Sequence, residues 1–449
     1  MIDDKCKFMK IRRVIWFLTW AVFFATWTSC GVKKYQIGDR NFKSAEEVAI
    51  WLFDTSGVHS GLYVVDADRP SSKPLIDYQS KSLFTPASNT KILTLYAALK
   101  FLPDELSGLK FLVRGDTTFI KGTGDPGFLD RRFDSHRVQE FLSDKENLIF
   151  VSDWHSDLRW GAGWSWDDYP YYYSAQLSPF PVYGNMARAW CEEGQWKLFP
   201  SSFVRNRVHI PDHPAVRRQE NTNIFQMNLA RCVENPIRVP FVWNQQVMVD
   251  LLRDTLHKPV SWLSHLPAGV EATWQSVSGT ERDTLLRTMM YDSDNFIAEQ
   301  LLMNISDQLW DTIQVPAVID TLVRTDFGEW ADEIRWVDGS GLSIYNKFSP
   351  RFIVHVLKEL YNKTPYADLI RMFPAGGVRG TIESWYGADV PYVYAKTGTL
   401  SSVHCLSGFV RTNSGKTFVF SFMHNNYLGS SSLYKKKMEV LLEFLKRNY

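Results

Sequence analysis

Three short groups of residues carry side chains suited to acyl-transfer chemistry. The first is Ser88-Asn89-Thr90-Lys91. On a helix, positions i and i+3 share a face, so the Ser88 hydroxyl and the Lys91 amine come within hydrogen-bond reach. A serine hydroxyl is a weak nucleophile without a base. A lysine serves as that base when burial and neighbouring charges lower its pKa. The apolar run Ile92 to Leu99 that follows reads as a buried helix, so Ser88 meets the positive end of its dipole. Ser-x-x-Lys spacing occurs three times in the chain, at Ser88, at Ser107 with Lys110, and at Ser432 with Lys435. Ser107 lies between Pro103 and Gly108, a poor helix start, and Ser432 opens a helix beside a lysine run that reads as a solvated face. Only Ser88 heads a buried helix.

The second group is Ser293-Asp294-Asn295, at the start of a helical stretch. Taken alone it reads as an N-cap, since all three residue types cap well. The third is Lys396-Thr397-Gly398-Thr399, at the end of a strand. Taken alone it is a strand and a turn. Yet Gly398 would let a substrate backbone approach closely, and two hydroxyls beside an ammonium suit a carboxylate.

In this order the three groups resemble the signature of the penicillin-recognising serine transferases and hydrolases, the D,D-peptidases and serine β-lactamases. Further segments are similar to the D-Ala-D-Ala carboxypeptidase/endopeptidase family of low-molecular-mass class C penicillin-binding proteins, the S13 peptidases. They are Pro86 to Lys91, Gly122-Thr-Gly-Asp-Pro126, Asp338-Gly-Ser-Gly-Leu-Ser343, Gly377-Val-Arg-Gly-Thr381, Lys396 to Leu400 and the stretch Trp164 to Tyr173, spread in order over residues 45 to 425. The resemblance implies Ser88 as nucleophile, Lys91 as its base, and Ser293 as the relay that protonates the leaving amine. It implies Asn295 on the substrate amide, and Lys396, Thr397, Gly398 and Thr399 around the terminal carboxylate. The implied oxyanion hole is the backbone N–H of Ser88 and of Thr399. No cofactor and no metal are called for, and no Cys/His spacing looks like a zinc site. Peptidoglycan peptides and β-lactam antibiotics are the implied partners. Two other readings stay open: a β-lactamase-like hydrolase on the same fold, and a wall-binding lipoprotein that has lost activity.

The elements that must position these residues follow from pattern. Strand-like runs at Gly61 to Asp66, Val393 to Lys396, Cys405 to Arg411 and Thr417 to Met423 lie at the two ends of the chain, the last two joined by a turn at Thr412 to Lys416. Helical patterns fall at Ala45 to Leu52, Ile92 to Leu99, Asp283 to Met290, Asn295 to Ile305, Pro350 to Leu360 and Leu433 to Arg447. Residues 101–274 have another texture, rich in Trp, Tyr, Pro and short strand-like pieces. The expected class is α/β (α+β): a β-lactamase/transpeptidase-like domain of antiparallel sheet flanked by helices, from residues 31–100 and 275–449. Residues 101–274 would be a large strand-rich insertion, somewhat short for the family. The aromatic stretch Trp154 to Tyr183 reads as core more readily than as a sugar-stacking surface. Asp338 to Ser343 reads as a tight loop by the site, and His404 as a structural residue.

Composition narrows the surroundings. The chain has 50 basic and 49 acidic residues and no long run of one sign, so nothing calls for nucleic acid. Lys10, Arg12 and Arg13 precede an apolar run from Val14 to Trp27, a signal-like start shorter than the roughly 20 residues that span a bilayer. It ends in Thr28-Ser29-Cys30-Gly31, which resembles a lipobox with Trp27 in the usual Leu place. Residues 1–30 are thus expected to be a lipoprotein signal, with Cys30 lipidated and the protein held on a bacterial membrane facing the periplasm. The absence of Asp after Cys30 favours the outer membrane. In such an oxidising compartment Cys191 and Cys232 are the favoured pair, and Cys405 reads as buried in a strand.

Overall fold

The computed structural model describes residues 35–449 apart from 56, 70–71, 156–158, 212–213 and 271–272. The signal and Cys30 lie outside the described residues. A short hairpin leads into helix α1 (Ala45–Phe53), strands β1 (His59–Asp66) and β2 (Ile76–Tyr78), a 3-10 turn (Ala87–Thr90) and helix α2 (Lys91–Phe101). Then follow β3 (Glu105–Arg114), β4 (Thr117–Gly122), α3 (His136–Asp144), β5 (Asn147–Val151), β6 (Met186–Glu192), β7 (Gln195–Phe199), β8 (Ile237–Pro240), α4 (Gln245–Leu256), β9 (Val260–Leu263) and β10 (Gln275–Glu281). The chain returns through α5 (Arg282–Tyr291), α6 (Asn295–Trp310), α7 (Pro350–Lys363), β11 (Val393–Leu400), β12 (Val403–Arg411), β13 (Thr417–Asn425) and α8 (Ser432–Asn448).

The two chain ends share one antiparallel five-stranded sheet in the order β11-β12-β13-β1-β2. Its central strands read as nearly unbroken apolar runs because both faces are covered. Period-two alternation divides them. Cys405, Phe409, Val419 and Met423 face α2, α6 and α7, while Leu406, Val410, Phe418, Phe420 and Phe422 face α1 and α8. Each such phenylalanine stabilises the sandwich by about 1.5–3 kcal/mol through burial alone. Cys405 is buried and free.

Between α2 and α5 the chain builds a different body. One sheet runs β9-β5-β4-β3-β10, with parallel pairs on one side of β4 and antiparallel pairs on the other. A second sheet is β8-β6-β7, antiparallel throughout. Both pack α4 around a core of their own that includes Phe150, Phe180, Trp196, Phe241 and Leu252. This stretch is less purely strand than its composition suggests. Gln245–Leu256 is an amphipathic helix whose N-cap Asn244 accepts from the Val247 N–H at 2.8 Å. Cys191 and Cys232 form a disulfide across this region. A small cluster of Ala175, Leu177 and Met186 with Phe296 and Met303 joins the body to α6, which carries the second chemical group.

Candidate active site

Ser88 does not lie within an α-helix. It sits in the 3-10 turn Ala87–Thr90, and the α-helix begins at Lys91. Ala87 just before it has φ 47°, the left-handed region that costs energy for a residue with a Cβ. The spacing still delivers the contact: Lys91 Nζ lies 3.0 Å from Ser88 Oγ. Lys91 is fully buried and also donates to Asn295 Oδ1 at 2.6 Å and to the Ser340 carbonyl at 2.7 Å. Burial brings its pKa down to about 8, against the opposing pull of Asp338, Asp294 and Glu299.

A second serine–lysine pair faces the first. Ser293 has φ 55°, and Asp294 after it caps α6 by accepting from the Ile297 N–H at 3.0 Å. The N-cap reading of this group is therefore correct for Asp294. The kink at Ser293 leaves its hydroxyl to accept from Lys396 Nζ at 2.8 Å. Lys396 is wholly buried too, and burial, then the Lys91 charge, holds its pKa well below the usual lysine value. Thr397 Oγ1 donates to Thr381 Oγ1 at 2.7 Å, and Thr399 Oγ1 is 2.9 Å from His404 Nδ1.

Gly398 is required by the chain's own packing. A Cβ there would lie 2.4 Å from the Pro86 carbonyl oxygen and 3.0 Å from the Ser88 nitrogen. The chain's own Ser88 turn, packed against β11, needs that space. Asn89 fastens the same junction, its Nδ2 donating to the Lys396 carbonyl at 2.9 Å.

Residues 338–343 form a loop tied from three sides. Asp338 accepts from the Gly341 and Ser343 N–H groups, from Asn346 Nδ2 and from Trp164 Nε1. Glu299, one turn along α6 from Asn295, accepts from the Gly339 and Ser340 N–H groups at 3.0 and 2.8 Å. Gly341, at φ 81°, lets the loop lie against Ala87. The loop thereby aims the Ser340 carbonyl at Lys91. Ser340 and Thr381 fall inside the family-like segments Asp338 to Ser343 and Gly377 to Thr381, but the sequence assigns neither a role, and it does not pick out Glu299. A backbone carbonyl leaves no side-chain signal, and Glu299 reads as one more helical polar residue.

Ser88, Ser293, Asn295, Thr397 and Thr399 line one cavity of 1310 Å³, with Thr381, Tyr172, Tyr173 and His404. Lys91 and Lys396 stand behind its wall. Asn295 turns both ends of its amide inward, Oδ1 to Lys91 and Nδ2 to the Tyr173 carbonyl at 3.0 Å. The remaining Ser-x-x-Lys spacings do not form pairs of this kind. Ser107 and Lys110 lie on β3, and Lys110 bridges to Asp307 and Asp311. Ser432 and Lys436 are exposed, as the lysine run suggests, while Lys435 is half-buried, lining the cavity and lying over Trp385 at 5.3 Å. The aromatic stretch divides: Tyr169 and Phe180 are buried, while Tyr172 is 57% exposed at the cavity. Among the described residues no cluster of His, Cys, Asp or Glu is arranged to hold a metal ion.

An antiparallel sheet between helices, with one serine on a buried lysine and a second serine–lysine pair opposite it, defines a serine–lysine acyl-transfer site. A sequence profile of the D-Ala-D-Ala carboxypeptidase 3 (S13) family matches residues 45–230 and 273–447, and the chain belongs to that family. It is 30% identical over 173 residues to the D-alanyl-D-alanine carboxypeptidase DacB of Haemophilus influenzae, covering 37% of this chain and 36% of that one. With the D-alanyl-D-alanine carboxypeptidase of an Actinomadura species it shares 24% identity over 453 residues, 88% of this chain and 83% of that one. The first two curated relatives are thus matched over only about a third of their own length, 36% and 33%. The crystal structure of penicillin binding protein 4 (dacB) from Haemophilus influenzae superposes with a TM-score of 0.69 at 19% identity, covering 90% of this chain and 99% of that one. It shows the same fold.

Proposed function

We propose that this chain is a serine-type D-alanyl-D-alanine carboxypeptidase/endopeptidase of peptidoglycan stem peptides, working through an acyl-enzyme on Ser88. The observation that carries this reading is the pairing of Lys91 with Ser88 at 3.0 Å and of Lys396 with Ser293 at 2.8 Å on the wall of one cavity. A pKa of about 8 leaves Lys91 partly neutral near physiological pH, so the same contact serves as the path for the Ser88 proton. Ser88 Oγ attacks the carbonyl carbon of the penultimate D-Ala while Lys91 Nζ takes its proton. The backbone N–H groups of Ser88 and Thr399 hold the oxyanion. Ser293 passes a proton to the nitrogen of the leaving D-Ala as the C–N bond breaks. Water then attacks the ester carbonyl and restores the Ser88 hydroxyl. Lys396, Thr397 and Thr399 receive the terminal carboxylate, a charge-assisted contact, and Asn295 keeps Lys91 in line.

A β-lactam presents the same carbonyl beside the same carboxylate, so it acylates Ser88. Penicillin binding protein 4 of Haemophilus influenzae, which shares this fold with a TM-score of 0.63 at 19% identity, has been crystallised with a novel β-lactam. The signal-like start and Cys30 support a lipid-anchored protein facing the periplasm, with the outer membrane favoured. The test is to incubate the purified protein with a labelled penicillin and locate the adduct by peptide mass. A stable adduct on Ser88 that Ser88→Ala abolishes is expected. Folded protein that neither retains nor turns over penicillin sinks the proposal.

A further inference from the structure

The cavity is larger than its chemical end requires. Sites that enclose a drug-sized ligand run to roughly 300–1,000 Å³, and this one measures 1310 Å³. Its second wall comes from the body between α2 and α5. That wall carries four arginines, Arg131, Arg132, Arg188 and Arg238. They fall into two kinds. Arg132 is neutralised, bridging Asp130 at 2.8 Å and Asp294 at 2.7 Å. The other three have no carboxylate within ion-pair distance among the described residues. The remaining acids on the cavity are occupied or apart: Asp168 accepts from Tyr173, and Asp292 lies 3.9 Å from Arg132.

Geometry gathers the three. Arg188 and Arg238 are direct cross-strand partners in the β6–β8 pair, so their side chains leave the same face. Arg188 lies over the Phe199 ring at 4.7 Å and Arg131 over the same ring at 6.0 Å, while Arg238 lies over Tyr172 at 5.2 Å. Aromatic faces hold guanidinium planes and leave the N–H edges free to bind an anion. Like charges collected this closely repel unless an anion joins them; burial, then the Arg131 charge, lowers the Arg188 pKa against the pull of Asp130. Arg238 lies in the stretch between the two segments matched by the family profile.

We infer that Arg131, Arg188 and Arg238 form an anion-binding wall that takes the free carboxylates of a peptidoglycan segment beyond the scissile bond, giving preference for cross-linked over single stems. The inference rests on the peptidoglycan reading proposed above. A single stem carries only the leaving D-Ala past the cut, whereas a cross-linked dimer brings a second peptide with further carboxylates of its own into the remaining volume.

The experiment compares wild type with Arg188→Gln/Arg238→Gln on three substrates. One is an N-acylated tripeptide ending in D-Ala–D-Ala whose sole carboxylate is terminal. The second is a cross-linked muropeptide dimer, and the third is that dimer with carboxamides in place of its non-terminal carboxylates. The expected result is a loss of about tenfold in kcat/KM on the dimer, the scale of two partly exposed charge contacts. The tripeptide, the amidated dimer and the rate of Ser88 acylation by penicillin should change by less than about twofold on that same scale. A dimer unaffected by the substitutions, or equal losses on all substrates, overturns the inference. Equilibrium binding of the dimer in a Ser88→Ala background reads the wall without turnover. Unchanged affinity there also overturns it, whereas wild type that binds the dimer through these arginines but acylates with nothing would refute only the catalytic proposal.

Discussion

At the residue scale the proposed chemistry depends on which groups carry charge at working pH. Lys91 must be neutral to take the Ser88 proton, and its pKa is about 8. The rate of Ser88 acylation should therefore rise with pH through about 8 and level off above it, and a stopped-flow penicillin-acylation profile checks this. A profile already flat from pH 6 would remove Lys91 as the base. His404 does not supply such a limb, because burial, then the Lys435 charge, brings its pKa to about 4. It acts instead on stability. The unfolded chain takes up that proton near 6.5 and the folded one only near 4, so the unfolded state binds more protons between those values and stability falls as pH drops through the window. Denaturant midpoints measured from pH 7 to 4 should fall, and the fall should be shallower in His404→Asn. Buried His424, also shifted down by burial, acts in the same sense. Sequence spacing shows Ser88 with Lys91 because the contact is local. It does not show His404 against Thr399, or the Ser340 carbonyl against Lys91, because those contacts depend on a strand register and on a loop folded back over 249 positions.

At the scale of elements, the site is a junction between one turn, one strand and one helix start, and its tolerance is set by backbone contact. The strand β11 can lie against the Ala87–Thr90 turn only because position 398 lacks a Cβ. The obstructing atoms are main-chain atoms of Pro86, Ser88 and Asn89, which cannot swing aside as a side-chain tip would. Gly398→Ala should then cost about 1–3 kcal/mol of stability through overpacking. It should slow Ser88 acylation by about a hundredfold through displacement of the nucleophile. Thermal melts with penicillin labelling test both, and a variant that labels at the wild-type rate would show that the turn yields. The strands around this junction were legible because burial on both faces writes an apolar run, as in Thr417 to Met423. The helices at Pro350 to Leu360 and Leu433 to Arg447 were legible from their 3.6-residue period, while the amphipathic Val315–Thr325 went unread. The 3-10 turn under Ser88 was not, since a run that continues into an α-helix looks the same in sequence whether its first turn is tight or regular.

At the scale of the whole molecule, two bodies meet over the cleft, and their cores are almost separate. The catalytic sheet and its helices hold two clusters, the intervening body a large one and a small one, and the bridge of Ala175, Leu177 and Met186 with Phe296 and Met303 is small. That the chain ends share a sheet could be read from strands at both termini. The division of the middle into separate sheets could not, because pairings such as β3 with β10 join residues far apart in the chain through short strands without a distinctive period. A near-balanced total charge likewise hides three arginines on one wall that have no carboxylate at ion-pair distance among the described residues. The Cys191–Cys232 disulfide lies wholly within the intervening body and closes a separation of 41 residues. A cross-link of that span stabilises by about 3–4 kcal/mol in the chain-entropy account. With cores this distinct, the loss should fall on one body and spare the other. Cys191→Ser/Cys232→Ser should lower the melting of the intervening body as a separate early transition in calorimetry, while Ser88 is still acylated at close to the wild-type rate below that transition. If acylation is lost together with the early transition, the intervening body completes the nucleophile site. If a single transition moves as a whole, the small bridge at Phe296 and Met303 couples the two cores more strongly than its size implies.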